Sequence, residues 1–260
     1  MLINDKNPAE VLKPQFVEAY KKLHADIWRR LIHIHTNIII LERIEPFPFH
    51  HFYAAQENVF WTMVYWNFLY TSIILIYALV CDEGKHAHKP HKLPHTLTKF
   101  KNDILRKWLK DSEKPAYQAL LKTVKFAREI EKIRRKVVAM RNKVVAHRLL
   151  DDSHPAQVQS ADRVTVPELR SLYDATEKMF FACCFGAEYK TTFIPYFVLR
   201  HGTPAPKDID QILDLIVKDS PWLNSPERRG TFWKDVRQYK SEEYLKELNT
   251  WRQKFGLPPA

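Results

Sequence analysis

Arg141 and His147 are the residues of this chain best suited to chemistry on a phosphodiester. They bound the run Arg-Asn-Lys-Val-Val-Ala-His, near the end of a strongly basic stretch of helical character. Histidine exchanges protons near neutral pH, since its unperturbed pKa is about 6.5. Arginine stays charged and holds a phosphate in a planar fork. Without a metal, phosphodiester cleavage needs both a proton-transferring group and a fixed positive charge for the developing phosphorane.

The positive charge of the chain is concentrated in one segment. The 260 residues carry a net charge of +11, and residues 85–148 alone hold 19 Lys+Arg against 5 Asp+Glu. Residues 151–260 are nearly balanced, with 15 against 16. A face that serves only solubility mixes both signs, whereas a surface that meets a polyanion does not. The distribution therefore favours a nucleic acid or another phosphate-rich partner.

The composition predicts an all-α protein. Only 5 glycines occur, and Leu, Lys, Glu, Ala and Arg fill long periodic stretches. We expect an up-and-down helical bundle of four or more long helices over residues 1–195. Prolines 195, 204 and 206 mark a linker to a C-terminal helical extension, 196–260, expected to pack on the bundle. The predicted bundle helices cover residues 14–42, 50–81, 97–109, 116–149 and 168–189.

The fourth predicted helix carries both an apolar stripe and a row of arginines. Arg134, Arg141 and Arg148 are spaced by seven, so they lie nearly in line on one face. Together with Arg135, they could track a phosphate backbone, although Glu131 lies one turn before Arg135 and predicts an ion pair. A neighbouring face is apolar at steps of four and three, which predicts burial of Phe126, Ile130, Ile133, Val137, Met140 and Val144.

Arg141, Asn142 and His147, on the last turns of a bundle helix before a polar loop, resemble the signature of HEPN domains. These helical bundles occur in bacterial toxins, phage-defence proteins and RNA-cleaving effectors. The run from Met140 to Arg148, with an uncharged helix that ends at Cys81, looks like the AbiU-type abortive-infection branch. The resemblance covers residues 15–190.

The resemblance implies a metal-independent endoribonuclease. His147 would activate the ribose 2′-hydroxyl or protonate the leaving oxygen. Arg141 would hold the phosphate, and Asn142 would orient the phosphate or the histidine. The product would be a 2′,3′-cyclic phosphate, with no cofactor or metal. HEPN domains commonly pair, and acid and base are both needed, so we expect a homodimer, with RNA and an antitoxin protein as further partners. The residues expected to contact RNA are Arg134, Arg135, Lys143 and Arg148.

Helix geometry leaves a second interpretation of the motif open. Six residues of a regular helix place Arg141 and His147 about 120° apart. Either the helix ends before His147, or the two groups that meet come from different chains. His147 also continues the apolar stripe, which is typical of a half-buried histidine bonded to a backbone carbonyl. A non-catalytic helical module that binds nucleic acid or a partner protein is therefore the alternative.

Three further patterns bear on location and metals. Residues 58–81 carry no charge and could cross a bilayer, but interspersed polar residues and acidic flanks favour a buried bundle helix and no membrane. Three cysteines without disulfide or metal spacing, and no signal-peptide layout, favour the cytoplasm. One loop contains four histidines that could bind a metal ion, His86, His88, His91 and His95. Lysines are interspersed among them and oppose a cation, so we expect a basic loop that contacts RNA rather than a metal site.

Overall fold

The structure, a computed structural model, describes residues 2–45, 59–81, 96–142 and 163–189, together with 209, 212, 213, 246, 250 and 253. Within these residues the chain is an all-α helical bundle, as predicted, and its one extended pairing is an isolated bridge between Leu12 and Leu109. Two compact units divide the chain. The first comprises residues 1–42 and 65–196, and the second comprises residues 43–64 and 197–260.

Seven α-helices are described, some of them continued by tighter or wider turns. They are α1 (Pro8–Val11), α2 (Val17–Ile44), α3 (Val59–Ile76), α4 (Leu97–Asp103), α5 (Lys114–Thr123), α6 (Arg128–Met140) and α7 (Val166–Ala182). Two π-helical turns extend α3 and α4, over Tyr77–Cys81 and Ile104–Trp108 respectively. We call Tyr77–Cys81 the π segment.

The first long helix, α2, forms where the sequence predicts it because its apolar residues recur on one face. Tyr20, Leu23, Ile27, Leu31, Ile34 and Ile38 are all buried in the core. Pro14 begins a preceding 3-10 turn, Pro14–Phe16, where its missing N–H costs nothing.

The apolar helix α3 is buried on one face rather than all round. Leu69, Ile73 and Ile76 lie in the core, whereas Ile74 is 43% exposed. Among the described residues it is the one helix that could cross a membrane by length and composition, with mean hydropathy 1.7 and 39% of the tested stretch buried. The core helix of a soluble protein passes the same test. A soluble protein is thus compatible with the structure.

The predicted helix 116–149 is wrong as a single element, because α5 and α6 are separated at residues 124–127. Thr123 turns its hydroxyl back to the Leu120 carbonyl oxygen at 2.7 Å, and Val124 leaves the helical conformation with φ −116° and ψ 24°. Two consecutive β-branched residues weaken a helix at this point. Phe126 then packs on the core from outside any helix. Consequently α6 begins only at Arg128.

The last described helix, α7, ends earlier than the predicted residue 189. Thr165 caps its start, since the Thr165 hydroxyl accepts from the Glu168 N–H at 3.3 Å and the Glu168 carboxylate accepts from the Thr165 N–H at 3.0 Å. Beyond Ala182 the chain turns into the core at Cys183, and Gly186 adopts φ +82°, a left-handed conformation that stops a helix.

A tyrosine hydroxyl joins the amino-terminal part of the first unit to the turn after α7. Tyr20 donates to the Cys183 carbonyl oxygen at 3.2 Å and accepts from the Phe185 N–H at 2.9 Å. The Gly186 N–H donates to the Asn4 carbonyl oxygen at 3.1 Å. The ring of Tyr20 also lies against Phe185, with 5.6 Å between ring centroids. These contacts fix α2 against α7, and α6 packs beside α7.

Candidate nucleic-acid interface

Helix α6 separates its apolar and charged residues onto different faces. Val137 and Met140 are buried, and Ile130 and Ile133 pack against the same core. The predicted stripe is therefore confirmed at these four positions. Phe126 packs on the core without belonging to the helix, and Val144 lies outside the described residues.

Arg134 is half-buried and is bound by groups of the protein itself. Its Nε lies 3.0 Å from the Glu131 Oε2, and its Nη1 donates to the Val80 carbonyl oxygen at 3.3 Å. The Cys81 thiol in turn lies 3.9 Å from the Arg134 carbonyl oxygen. Glu131 thus pairs with Arg134, three residues away, rather than with Arg135 as the sequence predicts. Arg134 joins α6 to the π segment, because it donates a hydrogen bond to the Val80 carbonyl oxygen in the wide turn at the end of α3.

Arg141 and Asn142 lie together where α6 ends. The Arg141 guanidinium is 4.9 Å from the centroid of the Tyr77 ring, and its Nη1 donates to the Asn142 Oδ1 at 3.0 Å. Asn142 is exposed, and the backbone widens into a π turn at 141 and 142. A guanidinium has five N–H donors in one plane. An aromatic ring against its face leaves the in-plane donors for another ligand.

The other residues of the motif are not among those that the structure describes. Lys143, His147 and Arg148 all fall within residues 143–162, outside the described ranges, as do the four histidines at 86, 88, 91 and 95. The structure therefore places the arginine and asparagine of the motif side by side, while the position of the histidine stays a prediction. Within the described residues, no three His, Cys, Asp or Glu side chains cluster in a way that could hold a metal.

The exposed face of α6 carries a row of cations that the sequence analysis identified only in part. Arg128, Lys132 and Arg135 are exposed and follow one another at steps of four and three, so they lie within about 60° of arc. We call these three residues the basic row. None of them forms an ion pair with a described residue, whereas their neighbour Lys136 binds Glu168 at 2.6 Å. Only Arg135 was expected here, although the spacing of Arg128 and Lys132 was available as a signal.

Most acidic side chains of the segment that contains the basic row are already paired with a cation. Residues 96–142 contain 14 Lys+Arg against 5 Asp+Glu. Four of these five carboxylates bind a lysine or arginine at 2.6–3.0 Å, and they belong to Asp103, Asp111, Glu113 and Glu131. Glu129, at the exposed start of α6, is the fifth. The positive surplus of the segment therefore remains available to an external anion.

Two histidines of α2 serve packing in the described structure. His24 lies among the rings of Tyr20, Phe180 and Tyr189, with its Nε2 at 3.2 Å from the Tyr189 carbonyl oxygen. Burial lowers the pKa of His24 from 6.5 to about 4. The ring is therefore neutral at pH 7 and is a weak proton acceptor.

His35 is the second of these histidines. It stacks on the Tyr173 ring at 5.1 Å, and its Nδ1 has no hydrogen-bond partner among the described residues. Burial, with a smaller contribution from Arg170, lowers its pKa to about 4. Arg170 itself is held by both oxygens of Glu42, each at 2.7 Å. This polar cluster joins α2 to α7.

The fold and this surface together define an all-α helical bundle that presents a cationic helix face. No protein-family model, characterised protein or solved structure matches the chain.

Proposed function

We propose that this protein is a metal-independent endoribonuclease of HEPN type that acts in a bacterial phage-defence or toxin–antitoxin system. The observation that carries the proposal is the pair Arg141 and Asn142. The guanidinium is oriented by the Tyr77 ring and the Asn142 amide at the end of a cationic helix. A cation fixed in this way stabilises a phosphorane without having to reorganise during the reaction.

In the proposed reaction the RNA supplies its own nucleophile. His147 accepts the proton of a ribose 2′-hydroxyl, and the 2′-oxygen forms a bond to the adjacent phosphorus. The bond from phosphorus to the 5′-oxygen breaks, and that oxygen takes a proton from a second imidazole. The products are a 2′,3′-cyclic phosphate and a 5′-hydroxyl. Arg141 binds the phosphoryl oxygens as negative charge develops on them, and Asn142 orients the phosphate or the histidine.

The second imidazole is the reason to propose a homodimer. One chain supplies a single motif histidine, and a symmetric pair of chains would bring two into one cleft. An antitoxin protein, a cytoplasmic location and contact of Lys143 and Arg148 with RNA belong to the same proposal. Sedimentation of the purified protein tests the dimer, and a monomer that still cleaves RNA at full rate would overturn it.

Cleavage is tested with purified protein and end-labelled RNA in the presence of EDTA. We expect cyclic-phosphate ends, and no product when the ribose at the cleaved position lacks its 2′-hydroxyl. His147→Ala should slow cleavage by about 10²–10⁴-fold. Arg141→Ala should slow it by about 10²–10³-fold. Arg106→Ala is the matched control, because Arg106 is an exposed arginine with no ion pair to a described residue.

The alternative is a non-catalytic module that binds RNA, and the basic row is the observation that favours it. Arg128, Lys132 and Arg135 can bind phosphates without any contribution from His147. RNA that is bound by the wild-type protein but stays intact would support this alternative. Cleavage that persists unchanged in both His147→Ala and Arg141→Ala would reject the catalytic proposal and point to a contaminating nuclease.

A further inference from the structure

We propose that the basic row is a docking surface for the sugar–phosphate backbone of one RNA strand, independent of base sequence and separate from the motif at Arg141. The choice of RNA rests on the proposed function, whereas the binding of phosphates rests on the geometry of α6. Arg134, although adjacent to Arg135 in sequence, takes no part in this surface.

The geometry of the row suits an extended polyanion. Arg128 and Arg135 are seven residues apart, which corresponds to about 10 Å along the helix axis. The three side chains share the face opposite the buried Val137 and Met140. A straight row of this length presents its charges to successive phosphates of a strand, and contacts of this kind fix position without reading bases.

The electrostatic balance explains why the row is available. A bound carboxylate offsets part of the charge of an arginine or lysine, so a cation without such a partner attracts an external phosphate more strongly. Within the described residues, the three members of the row have no such partner, while Lys99, Lys107 and Lys114 bind Asp103 or Asp111 at 2.6–3.0 Å. The uncompensated charge of the segment thus includes all three members of the basic row.

An anionic membrane fits this surface less well than RNA does. A helix that lies on a bilayer inserts an apolar face between the head groups. In α6 that face is taken up by the protein core, through Ile130, Ile133, Val137 and Met140. The exposed face offers charges without apolar side chains to insert, so the observations favour a hydrophilic polyanion.

The test measures binding of full-length protein to a short 2′-O-methyl oligouridylate, which cannot be cleaved by attack of a 2′-hydroxyl. Removing one charge with Lys132→Gln should weaken binding about fourfold near 0.15 M salt, since each phosphate contact to a single strand contributes a salt exponent of about 0.7. The triple Gln variant of Arg128, Lys132 and Arg135 should bind about fiftyfold more weakly, and its salt slope should fall by about 2. Glu129→Gln should strengthen binding.

Two controls match the charge change without touching the row. Lys22 is an exposed lysine of α2 with no ion pair to a described residue, and Lys22→Gln should leave the salt slope unchanged. Arg134→Gln removes the same charge beside Arg135, and it should lower the thermal midpoint while leaving the slope unchanged. Lys132→Gln and the triple variant should both keep the wild-type thermal midpoint, because neither breaks an ion pair with a described residue.

Each outcome decides between the proposals. A triple variant that stays folded and keeps the wild-type affinity and slope would overturn the docking surface, as would equal losses in Lys22→Gln. Binding of phosphatidylserine vesicles, but not of the oligonucleotide, would replace RNA with a membrane and so overturn it too. A protein that binds the oligonucleotide through the row but never cleaves RNA would leave the docking surface in place and reject the nuclease.

Discussion

Acidification should destabilise this protein in part through the buried ring of His24. The ring is 7% exposed, and burial holds its folded-state pKa at about 4, against about 6.5 in an unfolded chain. Between these values the unfolded chain binds a proton that the folded chain does not, so stability falls as the pH falls. The contribution of His24 is fully present above pH 6.5 and is lost progressively down to about pH 4.

The size of the effect follows from the same two values. Each pKa unit corresponds to about 1.4 kcal/mol. Because the folded protein keeps the ring unprotonated, its free energy of unfolding should be about 2 kcal/mol lower at pH 5 than at pH 7. His35 acts in the same direction as His24, because its pKa is also lowered to about 4. Asp174 and Glu177 act in the opposite direction, because burial raises the pKa of each carboxyl and the folded chain then retains protons. A comparison of two proteins that differ only at residue 24 cancels these other groups.

The assay is urea unfolding of the wild type and of His24→Phe at pH 7 and pH 5. Phenylalanine keeps a ring among Tyr20, Phe180 and Tyr189 but cannot bind a proton. The variant should lose about 2 kcal/mol less than the wild type between the two pH values. Equal losses in both proteins would refute the reasoning, since they would mean that the ring is as easily protonated in the folded protein as in the unfolded chain.

Three further predictions concern the first unit. Arg134→Ala should lower the free energy of unfolding by about 1–2 kcal/mol, because it leaves the Val80 carbonyl and Glu131 without their partner, and an unchanged urea midpoint would contradict this. Burial raises the pKa of Cys183 to about 11, so a thiol reagent at pH 8 should label this residue only after unfolding; mass spectrometry of the native protein checks it. Gly186→Ala should lower the free energy of unfolding measured by calorimetry by about 1–2 kcal/mol, because alanine is strained at a φ of +82°. The added Cβ would cause no clash, since it would lie 3.6 Å from Pro8, and an unaltered transition would argue against backbone strain.

The helices could be predicted wherever one sequence pattern determines one buried face. The α2 stripe is predicted to start at Val17; it is buried continuously from Tyr20 to Ile38, whereas Val17 is only partly buried. The break between α5 and α6 was missed because the apolar spacing runs on through Phe126. The β-branched residues Thr123 and Val124 end the helix there, and Phe126 packs on the core from a non-helical backbone.

The candidate site shows a different limit of sequence reasoning. Arg134 and Arg135 are neighbours of identical chemistry, and both were expected to contact RNA. The structure engages one with Val80 and Glu131 and exposes the other. One of the two partners of Arg134, the Val80 carbonyl of the π segment, lies 54 residues earlier in the chain. The local spacing of Arg128, Lys132 and Arg135 indicates the exposed face, but it does not reveal the Val80 carbonyl as a partner of Arg134.

The hydroxyl of Tyr20 has a consequence for synthesis on the ribosome. Its two partners, Cys183 and Phe185, lie 163 and 165 residues further along the chain. A nascent chain therefore extends through all seven described helices before the second helix can gain its final hydrogen bonds. Contacts of such long sequence separation delay cooperative folding. Products of premature termination before Cys183 would lack both partners of the Tyr20 hydroxyl, and we expect cellular proteases to remove them.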